Sequence, residues 1–256
     1  MLGETARTWL RRWDEQQERY SPDRDERFEV VVDVTRWSLE RTAPARPGIV
    51  DLGCGTASLA TRLARALPHA DVVGIDGDPL MLGLAEEAVV GTGARLLLDD
   101  LNAPGWADRA AVDGPWHAAV SSTALHWLTP EALTEVYREL AARLAPGGVF
   151  VDANNRGPED SEAVRGLARE IRDRRAERAG RADREDWASW WKAFLAEPEL
   201  ADLVEARSRT AVGRHAFAPP YYPSTQEQTE LLLAAGFSAV TTVWQCGDDS
   251  VLVAVR

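Results

Sequence analysis

Short apolar runs alternate with stretches of helical periodicity along most of the chain. Ile49-Val50-Asp51-Leu52 runs into Gly53-Cys54-Gly55-Thr56, after which Leu59, Leu63 and Leu67 recur on one helical face. An apolar run bounded by glycine reads as a buried parallel strand. This stretch therefore predicts a strand, a glycine turn and a helix, with Thr56 in the N-cap position. Residues 72–75 predict a second strand closed by Asp76, and Asp78-Pro79 opens the next helix. Residues 94–98 and 116–120 predict the third and fourth strands. A helix from Pro130 carries Val136, Leu140 and Leu144 on one face, Pro146-Gly147-Gly148 ends it, and residues 149–151 predict the fifth strand. Ser224-Thr225 starts another helix, Gly236 stops it, and residues 240–244 and 251–255 predict a hairpin across Gly247-Asp248-Asp249-Ser250. Strands alternating with helices predict an α/β fold with a mainly parallel sheet.

Two regions depart from the alternation. Residues 2–19 read as an amphipathic helix with Trp9 and Trp13 on one face, and residues 25–41 as a second helix with Phe28, Val31, Val32 and Trp37 apolar. Both are expected to pack on the main domain, with a lid over a cofactor pocket as the other role of the first. Residues 165–184 are dense in arginine and acid, which reads as a solvated helix with charges paired along its face. Trp187, Trp190 and Trp191 follow on one helical face, as a satellite core or as the lining of a cavity, and His215, Phe217, Pro219, Pro220, Tyr221 and Tyr222 form a second aromatic patch. The expected organisation is amino-terminal helices over 1–46, a core of 47–153 and 223–256, and a cap insertion over 154–222.

The chain has 256 residues and a net charge of −12, which disfavours nucleic acid and anionic membranes as partners. Cys54 and Cys246 lie far apart and are expected to be reduced thiols of a cytoplasmic protein. No signal-peptide pattern and no membrane-length apolar run is evident, and no metal-ligand spacing occurs. Lys192 is the sole lysine, which with the abundant arginine and alanine reflects base composition rather than function. A monomer or homodimer is expected.

The glycine turn admits two chemistries. A dinucleotide fingerprint needs a third glycine where Ser58 stands, and Asp51 would repel a pyrophosphate. The same acid suits a ligand bearing positive charge. Asp76 lies about two dozen residues beyond Gly53, the spacing at which an acid accepts from both hydroxyls of a ribose. Asp99-Asp100-Leu101 closes the third strand, and Ser121-Ser122-Thr123-Ala124-Leu125-His126-Trp127 closes the fourth, where ligands bind in open parallel sheets.

Asp51-x-Gly53-x-Gly55 and the acids that follow resemble the class I S-adenosylmethionine (SAM) dependent methyltransferases. Ala124-Leu125-His126-Trp127 is similar to the trans-aconitate methyltransferase-like subgroup, where an alanine-leucine pair precedes a polar residue and tryptophan. The resemblance covers roughly residues 47–150 and 224–256. It implies a Rossmann-like doubly wound seven-stranded sheet, mostly parallel with the last strand antiparallel, carrying amino-terminal helices and a helical cap insertion. It implies SAM as cofactor, held by Asp51, Gly53, Gly55, Asp76, Gly77, Asp100, Leu101 and Ser121, with Asp99 competing with Asp100 at the adenine. The expected activity is methyl transfer to an O, N or C acceptor on a small organic molecule, natural-product biosynthesis being one setting. His126 is the candidate general base, its ordinary pKa lying near neutrality, or else a satisfied structural histidine. His215 is a weaker candidate, and His69 and His117 fall on the wrong edge of the sheet. Trp127, Trp191, His215, Tyr221 and Tyr222 are candidate substrate contacts. A carboxylate acceptor, the subgroup's type, would need an arginine clamp from Arg156, Arg207, Arg209 or Arg214. The rivals are an NAD(P)-dependent oxidoreductase, a non-catalytic SAM-binding protein and a tRNA-modifying methyltransferase, the last opposed by the charge.

Overall fold

Apolar strands flanked by amphipathic helices need both sheet faces covered, and the chain achieves this with helices on each side. The structure, a computed structural model, describes residues 3–155, 162–214 and 220–256. Strands β1 (Gly48–Leu52), β2 (Asp71–Asp76), β3 (Arg95–Leu98), β4 (Trp116–Ser122) and β5 (Leu144–Asn155) run parallel. β6 (Ala239–Cys246) and β7 (Asp249–Val255) form the closing hairpin, and the sheet order is β3-β2-β1-β4-β5-β7-β6. β7 pairs antiparallel with both β5 and β6, so the hairpin's second arm inserts between them.

The described helices are α1 (Gly3–Tyr20), α2 (Arg24–Thr42), α3 (Ser58–Ala66), α4 (Pro79–Ala88), α5 (Trp106–Arg109), α6 (Pro130–Arg143), α7 (Glu162–Arg178), α8 (Trp187–Leu195), α9 (Ala201–Ser208), α10 (Ala211–Arg214) and α11 (Thr225–Ala235). None is long and apolar enough to cross a membrane. Successive strand residues face opposite ways. Val50, Leu52, Ala119 and Phe150 pack with α5, α6 and α11, whereas Ile49, Val72, Val120 and Val151 pack with α2, α3 and α4. α4, α6 and α11 start where sequence places their caps: Asp78, Thr129 and Ser224 accept from the N–H groups of Leu80, Ala132 and Glu227.

Several expectations change. Thr56 does not cap α3: Ala57 takes that position in the left-handed region, at φ 60°, and the Thr56 hydroxyl meets Ser58 Oγ at 3.0 Å. β5 begins at Leu144, beside Trp116, so the strand already includes Pro146-Gly147-Gly148. The arginines of α7 do not only pair along their own helix. Arg175 holds Asp23 and Arg172 holds Asp248, tying the cap to the α1–α2 junction and to the β6–β7 turn.

A satellite core joins α1 to the cap. Trp9 and Trp13 meet Trp190 with ring centroids 5.6 and 4.9 Å apart, over Leu80, Met81 and Leu84 of α4. Trp190 is fully buried and Trp191 nearly so, with Phe194 between them and Trp9. α2 is fixed differently. Its Arg27 is 1% exposed, pairs with Asp249 of β7 at 2.7 Å and donates to Ser122 Oγ at the end of β4 at 3.1 Å.

Candidate functional site

The parallel register brings the strand ends into one row. Leu52 lies beside Ile75, Asp76 beside Leu98, Asp51 beside Val120 and Ser121 beside Asp152. The turns after β1, β2, β3 and β4 therefore open on the same edge, the ligand edge of such a sheet.

The glycine turn is fixed by its own backbone. The N–H groups of Gly53 and Cys54 both donate to the Ile75 carbonyl, at 2.8 and 3.0 Å, folding the turn over β2. Gly53 has φ +67°, and a Cβ there would lie 2.4 Å from Ala124 Cβ, so only glycine fits between β1 and the β4 loop. Gly55 also has positive φ, and Met81 Cε lies 3.7 Å from where its Cβ would be. Cys54 packs its sulfur onto Gly74 of β2.

Two acids frame this turn, Asp51 buried and Asp76 half-buried. Asp51 is 1% exposed, and its Oδ2 has no hydrogen-bond partner in the protein. Burial pushes its carboxyl up to about 7, opposed by the Ala60 N–H and reinforced by the charge of Asp76. Asp76 accepts from Gly55 N–H at 2.7 Å on one oxygen and from Asp78 N–H at 2.8 Å on the other. Burial raises it to about 6, while the amides of Asp78, Gly55 and Gly77 pull the other way. Each carboxylate oxygen has two lone pairs, so these bonds leave acceptor capacity on both.

The loop after β3 separates its two acids. Asp99 is held by the Arg109 guanidinium through two bonds, at 2.6 and 2.8 Å. Asp100 closes a small turn onto Asn102, accepting from its backbone and side-chain nitrogens at 2.9 and 2.8 Å. Leu101 packs on the core beside it. Gly77 faces this loop: its Cβ would lie 3.5 Å from the Asp99 carbonyl and 3.0 Å from Val212 of α10. Ser121 is fully buried and donates its hydroxyl to the Leu52 carbonyl at 2.9 Å, joining the ends of β4 and β1.

His126 follows β4 in a single 3-10 turn and is 7% exposed. Its Nδ1 meets Asn154 Oδ1 at 3.2 Å, and Tyr222 stacks on the ring at 4.7 Å. Burial pushes the imidazole down to about 4, against the Asn154 bond and the charge of Asp152, making it a weaker base than an ordinary histidine. Beneath it lies a cavity of about 10 Å³ lined by Tyr137, Asp152, Asn154 and Gln228, enough for about one water. Gln228 Nε2 donates to Tyr137 Oη and Asp152 Oδ2 at 2.7 and 2.8 Å.

The candidate substrate contacts do not converge equally. Tyr222 and Trp127 flank His126, both about half exposed, and Tyr221 joins them through its N–H to the His126 carbonyl at 2.8 Å. The Tyr221 hydroxyl points to Glu227 at 2.6 Å. Trp191 belongs to the satellite core rather than to this group, with Arg207 over its ring. His215 lies outside the described residues. Of the proposed arginine clamp, Arg207 is consumed by a buried pair with Asp78 at 2.6 Å, and Arg209 pairs with Glu205 on the surface of α9. Arg156 and the Arg214 side chain are outside the described set. His117 accepts from Gly48 N–H at the opposite edge of the sheet.

Sequence reasoning missed the Arg27–Asp249 pair and the pairing of Arg207 with Asp78. Arg27 and Asp249 are 222 residues apart, and no local pattern links them. The fit of an adenosyl cofactor can be judged on the chain's own atoms. The orphaned Asp51 oxygen suits an ammonium, the Asp76 oxygens suit a diol, and the gap at Gly53 excludes any side chain.

Parts of the chain are similar to known proteins. Residues 49–148 match the family described as "Methyltransferase domain". The chain is 31% identical over 135 residues to trans-aconitate 2-methyltransferase of Deinococcus radiodurans and 35% identical over 139 residues to that of Azoarcus sp.. These matches cover 51% and 54% of this chain and 47% and 49% of the relatives, so the chain spans about half the length of the curated relatives it matches. The fold is similar to the magnesium protoporphyrin IX methyltransferase of Synechocystis PCC 6803 with bound SAH, at 17% identity and a TM-score of 0.55 over 97% of this chain and 94% of that one. It is also similar to an O-methyltransferase family protein of Burkholderia thailandensis, at 16% identity and a TM-score of 0.53 over 94% and 62% of the two chains. Residues 49–148 thus match a methyltransferase domain, and about half of the chain is similar to trans-aconitate 2-methyltransferases.

Proposed function

We propose that this chain transfers a methyl group from SAM to a small organic acceptor bound between the β4 loop and the cap. The observation that carries the reading is the row of Asp51, Asp76, Asp100 and Ser121 at four adjacent strand ends, with Asp51 Oδ2 buried and unpartnered. When bound, the cofactor supplies an electrophilic methyl group on a sulfonium. In this reading Asp51 attracts the ammonium and Asp76 accepts from the ribose hydroxyls. Asp100 and Leu101 meet the adenine, since Arg109 already occupies Asp99. Gly53, Gly55 and Gly77 let the ligand approach the backbone, and Ser121 holds the β4 end against β1. Trp127, Tyr221 and Tyr222 exclude water around the acceptor, and a dry site strengthens each of these contacts. We also propose a cytoplasmic setting, supported by two cysteines that are both free.

Between acceptor classes, a carboxylate is favoured over a neutral hydroxyl or amine. An imidazole of pKa about 4 is a weak proton acceptor, whereas a carboxylate is already ionised and needs no base. His126 then orients the acceptor instead of deprotonating it. The relatives' name, trans-aconitate 2-methyltransferase, points the same way. Calorimetry with SAM, S-adenosylhomocysteine and NAD, followed by a methyl-transfer screen of di- and tricarboxylates against phenols and amines, tests both levels. Binding of the adenosyl ligands and methyl esters among the products is expected. Binding of NAD alone would overturn the cofactor reading, and methylation confined to phenols or amines would overturn the carboxylate one.

A further inference from the structure

His126 has two ring nitrogens, and its neighbours decide which one carries the proton. Asn154 Oδ1 accepts from the Asn155 N–H at 2.9 Å. A backbone N–H only donates, so the Asn154 amide must turn its oxygen, and not its nitrogen, to that point. The same oxygen lies 3.2 Å from His126 Nδ1. An amide oxygen has no proton to give, so Nδ1 is the protonated nitrogen. Nε2 then carries a lone pair and no hydrogen.

The ring is held in this state. Tyr222 stacks on it with centroids 4.7 Å apart, and Trp127 lies 5.0 Å away. The Tyr221 N–H holds the His126 carbonyl at 2.8 Å. Burial lowers the imidazole pKa to about 4, so Nε2 stays bare at neutral pH.

His126 stands at the ligand edge of the sheet. Ala124, two residues before it, abuts the glycine turn at Gly53, and Asn154 follows Ala153, the partner of Ser122 at the end of β4. Nε2 lies across the ring from Asn154 and meets no donor among the described residues. The residue is 7% exposed, and an acceptor so nearly buried is costly unless a donor completes it. A carboxylate cannot do so, because its lone pairs would face that of Nε2. A hydroxyl or an N–H can.

We propose that His126 is a specificity-determining residue whose bare Nε2 accepts a hydrogen bond from a hydroxyl or N–H of the acceptor molecule, next to the carboxylate that is methylated. Resting on the carboxylate reading above, this role narrows the acceptor to acids that also carry a neutral donor, and it turns away the same acid without one.

The test has two arms. Nitrogen-15 NMR of the ligand-free protein at pH 7 reads the tautomer, with His126→Phe identifying the His126 signals among the four histidines. Nδ1 protonated and Nε2 bare is expected; a protonated Nε2 overturns the proposal whatever the substrate. The second arm measures kcat/KM for methyl ester formation on matched acids with and without a hydroxyl: malate against succinate, citrate against tricarballylate, mandelate against phenylacetate. In the pair the enzyme accepts, the hydroxy acid should be favoured about fivefold or more, the scale of one neutral hydrogen bond, and its O-methyl ether should lose that advantage. His126→Phe, which keeps a ring but no acceptor, should bring the ratio to within about twofold. Equal rates in wild type, or a preference that survives in His126→Phe, would overturn the proposal and leave the carboxylate reading standing. No methyl ester from any of the six acids would remove that reading and the proposal with it. If His126→Phe does not fold, His126→Gln identifies the NMR signals and the wild-type tautomer and rate ratios decide.

Discussion

Replacing Asp51 with asparagine should stabilise the ligand-free protein while weakening its hold on the cofactor. The folded carboxyl is raised from 3.8 to about 7, chiefly by burial. Between those values the folded chain holds a proton that the unfolded chain releases, so stability falls as pH rises through that window. The full cost is present above pH 7 and absent below about pH 4. Three units at 1.36 kcal/mol each give ~4 kcal/mol as the upper size of that cost. Asparagine keeps an oxygen for the Ala60 N–H but brings an amide nitrogen with no acceptor, which returns about 1–3 kcal/mol. The net gain at pH 8 is then ~1–3 kcal/mol, or roughly 2–10 °C in Tm for a chain of this size. The assay is thermal unfolding of both ligand-free proteins from pH 4.5 to 8.5, with S-adenosylhomocysteine titrated at pH 8. The Tm gap should be positive at pH 8 and close as the pH falls, and affinity should drop about tenfold with the loss of a charge-assisted contact. An Asp51→Asn protein less stable than wild type at pH 8, or a gap that ignores pH, would refute the claim that this acid is held at a cost for its ligand.

Asp76→Ala removes the acceptor for both ribose hydroxyls and should cost at least ~2 kcal/mol, about 30-fold in S-adenosylhomocysteine affinity; a change within twofold would remove the ribose assignment. Arg207→Met leaves the buried Asp78 carboxylate without its cation, which at roughly 3–5 kcal/mol should lower Tm by more than about 6 °C. Asp78→Ser added to it keeps a helix cap and should recover part of the loss, whereas an unchanged Tm in the single variant would show the pair to be idle. With its pKa near 4, His126 stays neutral from pH 5.5 upward, so kcat/KM should carry no inflection near pH 6.5 that His126→Gln abolishes. An inflection present in wild type and absent from the variant would restore the general-base role.

The strands and turns of the core are legible in sequence because each signal is local. Residues 49–57 hold a whole strand, turn and helix start, and Ser224 and Gly236 bracket α11 by their own backbone chemistry. The acids at the strand ends are legible for the same reason, since strand length fixes where each one emerges. What escaped depends on partners distant in sequence. Asp99 and Asp100 are indistinguishable until Arg109 folds back onto the first of them. His126 reads as a near-neutral base until its burial against Asn154 and Tyr222 is known. Arg207 reads as a free cation until Asp78 is found beside it, and Trp191 as either satellite core or cavity lining until it is found packed on Trp190 and Phe194. The α7 arginines read as solvated because their acids, Asp23 and Asp248, belong to the α1–α2 junction and the β6–β7 turn.

The central claim is that the row of strand ends from β1 to β4 is one adenosyl site. A crystal structure with S-adenosylhomocysteine tests it most directly. The account predicts the ribose hydroxyls on the two Asp76 oxygens, the ammonium against Asp51 Oδ2 and the adenine beside Asp100 and Leu101. A ligand bound away from that edge, or lying across it with Asp51 and Asp76 both untouched, would contradict it.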